Sequence, residues 1–251
     1  MSPSSLTASW LGRVDYDTGW AWQRDLFVAR LDDEVGDSLM LLEHPHTYTL
    51  GRRALADDLV YDEAQRAARG IALFEVDRGG RATYHGPGQL VGYPIVALGE
   101  RYDVLGYLRK LEEALIRTAA DLGVPAHRDP DHTGVWVGTN KLGAIGVKIT
   151  RGVSMHGFAL NVTTDLDMFG GIVPCGIQGR WVTSIERETG ARPALKSVAE
   201  IAAGHVAEVL GRPLLWTHRN LADASISRSA RVSPRPIVSE ELKEESSHAQ
   251  S

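Results

Sequence analysis

The chain has 251 residues, 43% apolar and 24% charged, which is enough apolar material for one sizeable core and too much for a disordered protein. Its 27 basic and 32 acidic residues leave a net charge of −5, a balance that does not point to nucleic acid or an anionic membrane as partner. A single cysteine excludes an intrachain disulfide framework, a Cys-rich zinc site and an iron–sulfur cluster built by this chain alone. The N-terminus lacks a basic stretch followed by an apolar one. The longest uncharged run, Ala82 to Gly99, is broken by His85, Pro87, Gln89, Gly92 and Pro94. The expectation is a soluble, cytoplasmic protein with a reduced thiol.

In chain order, the pattern predicts a helix over Trp20 to Leu31, a buried strand at Leu39–Leu42, and another at Tyr48–Leu50 ending at Gly51. Asp57 to Ala68 reads as a helix stopped by Gly70. Ile71–Val76 and Leu90–Val96 read as strands separated by a glycine-dense loop. The clearest helix starts at the N-cap residue Asp103 and carries Val104, Leu108, Leu111, Leu115, Ala119 and Leu122 on one stripe, before Gly123 ends it. Gly134 to Val147 reads as a β-hairpin around Gly138–Lys141, and Val153 to Val162 as a further strand. A last helix follows Leu195, with Val198, Ile201, Ala202, Val206 and Val209 facing the core and Gly211 and Pro213 as its stop. The fold class expected is α+β, a mixed and mainly antiparallel sheet with helices packed on it. One domain covers residues 1–219. Residues 220–251, rich in Ser, Arg, Glu and Pro from Ala222 onward, read as a disordered tail.

Three segments are too glycine-rich and polar for simple connections between strands. In Arg78–Gln89, RGGRATYHGPGQ, five of twelve residues are Gly or Pro, so a ligand can approach the backbone closely. Arg78, Arg81, Tyr84, His85 and Gln89 supply donors around that opening, although an exposed multi-turn loop has the same composition. The segment matches neither a phosphate loop nor a dinucleotide fingerprint. In Lys141–Asn161, Gly143, Gly146 and Gly157 interrupt strands, and His156 is a candidate base or simply a structural histidine. Gly170–Gly179 holds the only thiol, Cys175, between Pro174 and Gly176, a poor place for a packing residue. A thiol of pKa ~8.5 needs a nearby cation to ionise at neutral pH, and Lys141, Lys148, His85 and His156 are all candidates. His44-x-His46 sets two imidazoles on one strand face, but no third or fourth ligand follows at a metal-site spacing, so no metal is expected. G-x-S-x-G is absent, which disfavours a serine hydrolase.

Taken with EHPHTYTLGR (Glu43–Arg52), RGGRATYHGPGQLVGYPI (Arg78–Ile95), KLGAIGVKI (Lys141–Ile149), MHGFALNV (Met155–Val162) and VPCGI (Val173–Ile177), the chain resembles the lipoyl(octanoyl) transferases over roughly Leu39 to Gly211. The resemblance implies a catalytic domain shared with biotin– and lipoate–protein ligases, and a reaction in two steps. An octanoyl group passes from the phosphopantetheine of octanoyl-acyl carrier protein to Cys175. From there it passes to a lysine on lipoyl domains of 2-oxoacid dehydrogenase complexes or on glycine cleavage H protein. It implies no bound cofactor, because transfer from thioester to amide runs downhill without ATP. It also implies that Lys141 lowers the thiol pKa, and that acyl-substrate contacts fall on Arg78, Gly79, Gly80, Arg81, Ala82, Thr83, Tyr84 and His85, on Ala144, Ile145 and Gly146, and on Gly157, Phe158 and Ala159. Two positions depart from the family pattern, His46 and Lys148.

Lys141 and Lys148 are seven residues apart, so on an uninterrupted strand they point to opposite faces, whereas a bulge at Gly143 or Gly146 inverts that parity. A basic face built from Arg52, Arg53, Arg78, Arg81 and Arg151 is expected to receive the acidic partners. The rival readings are an ATP-dependent ligase, a non-catalytic lipoyl-domain binder and a cysteine hydrolase. A chain ended near Arg219 should keep its melting temperature and its turnover, since the tail holds too little apolar surface to offset its own ordering. A loss of several degrees in a thermal scan would contradict that reading.

Overall fold

The computed structural model describes residues 5–173 and 181–221, so Cys175 and the predicted tail from 222 onward lie outside the described residues. Among those residues, strands form an eight-stranded sheet in the order β11-β1-β2-β6-β10-β9-β8-β7 and a three-stranded sheet β4-β3-β5. The larger sheet uses β1 (Leu6–Arg13), β2 (Asp37–Glu43), β6 (Gln89–Ile95), β7 (His127–Arg128), β8 (Val135–Val137), β9 (Asn140–Thr150), β10 (Val153–Asn161) and β11 (Leu214–Trp216). The smaller uses β3 (Thr47–Leu50), β4 (Ala72–Glu75) and β5 (Ala82–His85). Only β1–β2, β1–β11 and β3–β4 pair in parallel, so the mixed, mainly antiparallel α+β expectation holds.

Both faces of the central strands are covered, which is why they read as continuous apolar runs. In β2, Leu39 and Leu41 face one side while Met40 and Leu42 face the other. The first side is covered by α3 (Val104–Asp121) and α5 (Leu195–Leu210), the second by α1 (Tyr16–Leu31). The Asp103 side chain caps α3 by accepting from Gly106 N at 2.9 Å. Gly123 and Gly211, both at positive φ, follow the ends of α3 and α5 as expected. The α3 stripe is buried at Leu111, Leu115 and Ala119 but exposed at Val104.

Several elements differ from the sequence expectation. The predicted helix at Asp57–Ala68 is a 3-10 turn, Ala56–Asp58, followed by a short helix α2 (Glu63–Ala67). The break comes from tertiary pairing, because the amides of Val60 and Tyr61 donate to the Gly171 carbonyl. The glycine-dense loop contains β5, and α1 starts at Tyr16 rather than Trp20. Strand β1, the edge strand β11, the two-residue β7 and the short helix α4 (Ile185–Thr189) were not anticipated. Leu221, two residues past Arg219, packs on the α1 face. No helix among the described residues is long and apolar enough to cross a membrane.

Two local features shape the central strands, one a bulge and one a glycine. In the β8–β9 hairpin, Trp136 opposes Lys141 but Val135 opposes Gly143, which leaves Leu142 as an extra residue. On β6, Gly92 sits opposite Phe158 of β10, and a Cβ there would lie 2.1 Å from the Phe158 ring. Gly92→Ala should therefore destabilise the protein by about 1–3 kcal/mol through overpacking. Gly204→Ala, in α5 with open space around it, should stabilise by up to about 1 kcal/mol. Urea unfolding of the two variants checks the pair, and equal midpoints would contradict the packing described.

Candidate active site

A cavity of about 480 Å³ opens between the two sheets on the α1 face, within the range of small-molecule sites. Its floor is the exposed backbone of β9 and β10 at Ala144–Gly146 and His156–Ala159. Residues 78–83 and His85 from the small-sheet side form the opposite wall, with Tyr16, Tyr93, Arg53 and the 131–133 loop around the edge. Close approach explains the glycines. A Cβ on Gly146 would lie 2.9 Å from the Gly79 carbonyl, and Gly79 N donates to Val147 O at 3.0 Å, which laces the 78–80 loop onto β9. The small side chains of Ala144 and Ala159, with the glycine backbone beside them, leave a floor suited to a hydrocarbon chain.

Of the sequence-predicted site residues, all but two line this cavity. Cys175 lies outside the described residues. Tyr84 points the other way, into the small apolar cluster with Phe169, and its hydroxyl meets His46 Nδ1 at 2.8 Å. Alternation along β5 is the cause, since neighbouring side chains leave opposite faces of a strand. His44 and His46 do not form a ligand pair. They lie between β2 and β3 and bond separately to other groups, and no three His, Cys, Asp or Glu converge among the described residues.

Lys141 lines the cavity at one end. Its Nζ donates to the Thr133 carbonyl at 3.2 Å and stands 4.7 Å from the centre of the Trp136 ring. The loop that carries Thr133 is itself fixed, because buried Glu112 accepts from Gly134 N at 3.0 Å and pairs with Arg109 and Arg128. The Lys141 backbone binds the chain just beyond the Cys175 segment: Lys141 N donates to Trp181 O and Thr183 N donates to Lys141 O, both at 2.9 Å. Lys148 does not line the cavity. It pairs with Asp77 at 2.5 Å. The parity expectation fails. Leu142 and Gly143 both face the helices, so the bulge returns Lys141 to the same sheet face as Ala144, Gly146 and Lys148. Distance along the strand separates the two lysines, not the face.

The arginines are committed to the protein. Arg78, buried, donates to Thr49 O and Oγ1 and to Gly79 O, while Arg81 makes a two-pronged pair with buried Asp58. Burial opposes ionisation of Asp58, but the Arg81 bonds hold it below the usual carboxylate range. Arg151 sits at the β9–β10 turn, so of the expected basic face only Arg52 and Arg53 are exposed near the cavity.

Two histidines of the cavity wall, His85 and His156, and His44 packed behind them are held in neutral form. His44 is fully buried, with Nδ1 donating to Val14 O and Nε2 accepting from Tyr93, each at 2.7 Å, and burial pushes its pKa down to about 4. Burial, with His44 beside it, pushes His85 down to about 3. His156, at φ 60° in β10, donates from Nε2 to Asp77 at 2.7 Å, yet burial still lowers its pKa. The Asp77 carboxyl is held far below its usual range by bonds from His156 and Lys148. No motif flagged Asp77, Glu112 or Tyr16. Their roles come from contacts distant in sequence.

These depressed histidines make stability sensitive to acid. The unfolded chain protonates each near pH 6.5, while the folded chain leaves His44 and His85 neutral down to about 4 and about 3. Stability is thus fully present above about pH 6.5 and falls as pH drops from there toward 4. Between pH 6 and 4.5 the slope should approach about 2.7 kcal/mol per pH unit for two protons. Urea unfolding across that window checks it, and a flat profile would contradict the neutral assignment.

Comparison with known proteins agrees with this geometry. Residues 15–207 match the lipoyl protein ligase A/B catalytic domain. An octanoyltransferase of Acidobacterium capsulatum is 48% identical over 222 residues, covering 82% of this chain and 90% of that protein. One from Chloroflexus aurantiacus is 48% identical over 209 residues, covering 82% and 94%. The fold is similar to that of a lipoate-protein ligase A bound with ATP, at TM-score 0.71 and 19% identity over 88% of this chain and 92% of that one. With most of its length matched and nearly half its residues shared with such relatives, the chain belongs to the lipoyl protein ligase A/B catalytic-domain family, alongside these octanoyltransferases.

Proposed function

We propose that the protein is an acyltransferase that moves an octanoyl group from octanoyl-acyl carrier protein, through a thioester on Cys175, to a lysine of lipoyl domains in 2-oxoacid dehydrogenase complexes or of glycine cleavage H protein. The observation that carries the reading is a glycine-walled, partly apolar cavity whose one lysine is bonded through its backbone to the chain just beyond Cys175. Relatives sharing nearly half its residues carry the octanoyltransferase name. The cysteine thiolate attacks the donor thioester carbonyl, and the pantetheine thiolate leaves and takes a proton. The lysine amine then attacks the enzyme thioester, Cys175 leaves as thiolate, and an amide remains. Each step exchanges one acyl bond for another, so no nucleotide is consumed.

The ammonium of Lys141 favours the ionised form of a thiol beside it. A shift of about two pH units, worth roughly 2.7 kcal/mol, makes most of a thiol of pKa ~8.5 reactive near pH 7. Cys175→Ser should lose more than nine-tenths of transfer while keeping its fold, because a hydroxyl of far higher pKa cannot replace the thiolate. Serine activity above a tenth would refute the acyl-cysteine route. Lys141→Ala should move the pH midpoint of Cys175 alkylation by iodoacetamide upward toward ~8.5, while Lys148→Ala leaves it in place. The opposite pattern would transfer the role to Lys148.

A further inference from the structure

The hydrogen bonds that leave His85 run in one direction. His85 Nδ1 lies 2.9 Å from Gln89 Oε1. The Gln89 amide has one consistent orientation, because its Nε2 donates to Tyr84 O at 3.0 Å and to Asn161 Oδ1 at 2.9 Å. Its Oε1 therefore only accepts, and the ring hydrogen sits on His85 Nδ1. Asn161 Nδ2 continues the series by donating to Thr183 O at 2.9 Å, and Thr183 N donates to Lys141 O at 2.9 Å. Three successive donors point the same way, from a cavity histidine to the Thr183 carbonyl, while the amide of Thr183, in the neighbouring peptide group, holds the Lys141 carbonyl. Such aligned chains reinforce one another in a low-dielectric interior.

A neutral ring with its hydrogen on Nδ1 carries a lone pair on Nε2. The groups packed around it oppose a second proton. Burial is the largest cause of the lowered His85 pKa, and neighbouring His44, Arg78 and His156 add to it against the Gln89 bond. The stacked ring of Tyr16, 5.9 Å away, keeps its hydroxyl proton because burial raises its pKa, as burial also does for Tyr93. The Asp77 carboxylate, which acts on Tyr16, is engaged by His156 and Lys148.

We propose that His85 is a fixed hydrogen-bond acceptor for the amine that attacks the acyl group, with Gln89 and Asn161 as its positioning residues. The role rests on the transfer reading above. So weak a base removes no proton from an alkylammonium of pKa ~10.4. It holds an N–H of the free amine and aims the nitrogen lone pair at the carbonyl. The burial and cationic surroundings that keep the ring neutral also disfavour an ammonium beside it, so the amine arrives in its nucleophilic form. The amine nitrogen bonds to the acyl carbon, the bond to Cys175 sulfur breaks, and the sulfur leaves as thiolate. Of the two protons lost from the ammonium, one reaches solvent before attack and one after. His85 keeps a single proton on Nδ1 throughout.

Two readouts on the full chain test this. Nitrogen-15 NMR of labelled histidines, with His85→Gln to assign the signal, should show His85 protonated on Nδ1 alone from pH 8 to 5. A proton on Nε2, or conversion to imidazolium in that range, would overturn the assignment. The second readout separates the half-reactions, with cysteine acylation by octanoyl-acyl carrier protein followed by intact mass and transfer measured by mixing pre-formed acyl-enzyme with a lipoyl domain. In His85→Leu the ratio of transfer rate to acylation rate should fall about tenfold or more, the effect of one lost hydrogen bond. His85→Gln, which keeps an acceptor near Nε2, should recover most of that ratio. Equal loss in both half-reactions, loss confined to acylation, or no recovery by glutamine would overturn the role alone. A wild-type protein that forms no acyl-enzyme would overturn the transfer reading, and this role with it.

Discussion

The candidate site depends on how Lys141 is held by its backbone before its side chain does anything. Its amide and carbonyl bind Trp181 and Thr183, so the chain returning from the Cys175 segment is added to the sheet as a short parallel bridge at Val182. The carbonyl of Thr183 in turn accepts from Asn161 Nδ2, which ties that return to β10. The bulge at Leu142 is part of the same constraint. Without the extra residue, Lys141 would face the helices, and the sheet face that floors the cavity would carry no cation at that end.

Around that lysine, the protein excludes other titrating groups rather than collecting them. His44, His85 and His156 are each deprived of a second proton by burial, and the guanidinium of Arg78, in the cavity wall, is bonded to Thr49. Asp77 is neutralised by His156 and Lys148 at the far end from Lys141. The resulting cavity has a floor of small apolar side chains and backbone, a rim that includes Arg53 and Asp131, and Lys141 as its lysine. That asymmetry suits a chain of methylenes with a reactive carbonyl at one end.

Much of this was legible in the sequence. The glycine-interrupted strands and the RGGRATYH segment marked the cavity walls because glycine is needed where two backbones meet, as at Gly146 and Gly79. Buried strands and the capped α3 could be read from local pattern alone. The short edge strand β11 could not, since it depends on pairing with β1, more than a hundred residues away, rather than on its own periodicity. The parity of Lys141 and Lys148 was hidden for a related reason. A bulge is decided by the pairing of β8 with β9, and only its possibility shows in the run of glycines. The orientation of Tyr84, the engagement of Arg78 and Arg81, and the series from His85 to Thr183 need side-chain geometry that no motif encodes.

The central claim is that the octanoyl group travels covalently through Cys175 under the influence of Lys141. The most direct measurement is the site-resolved mass of the purified protein after brief mixing with octanoyl-acyl carrier protein in the absence of nucleotide. The account predicts a single octanoyl adduct on the peptide carrying Cys175, discharged on addition of a lipoyl domain. Octanoyl transfer that requires ATP and leaves Cys175 unmodified throughout would contradict it.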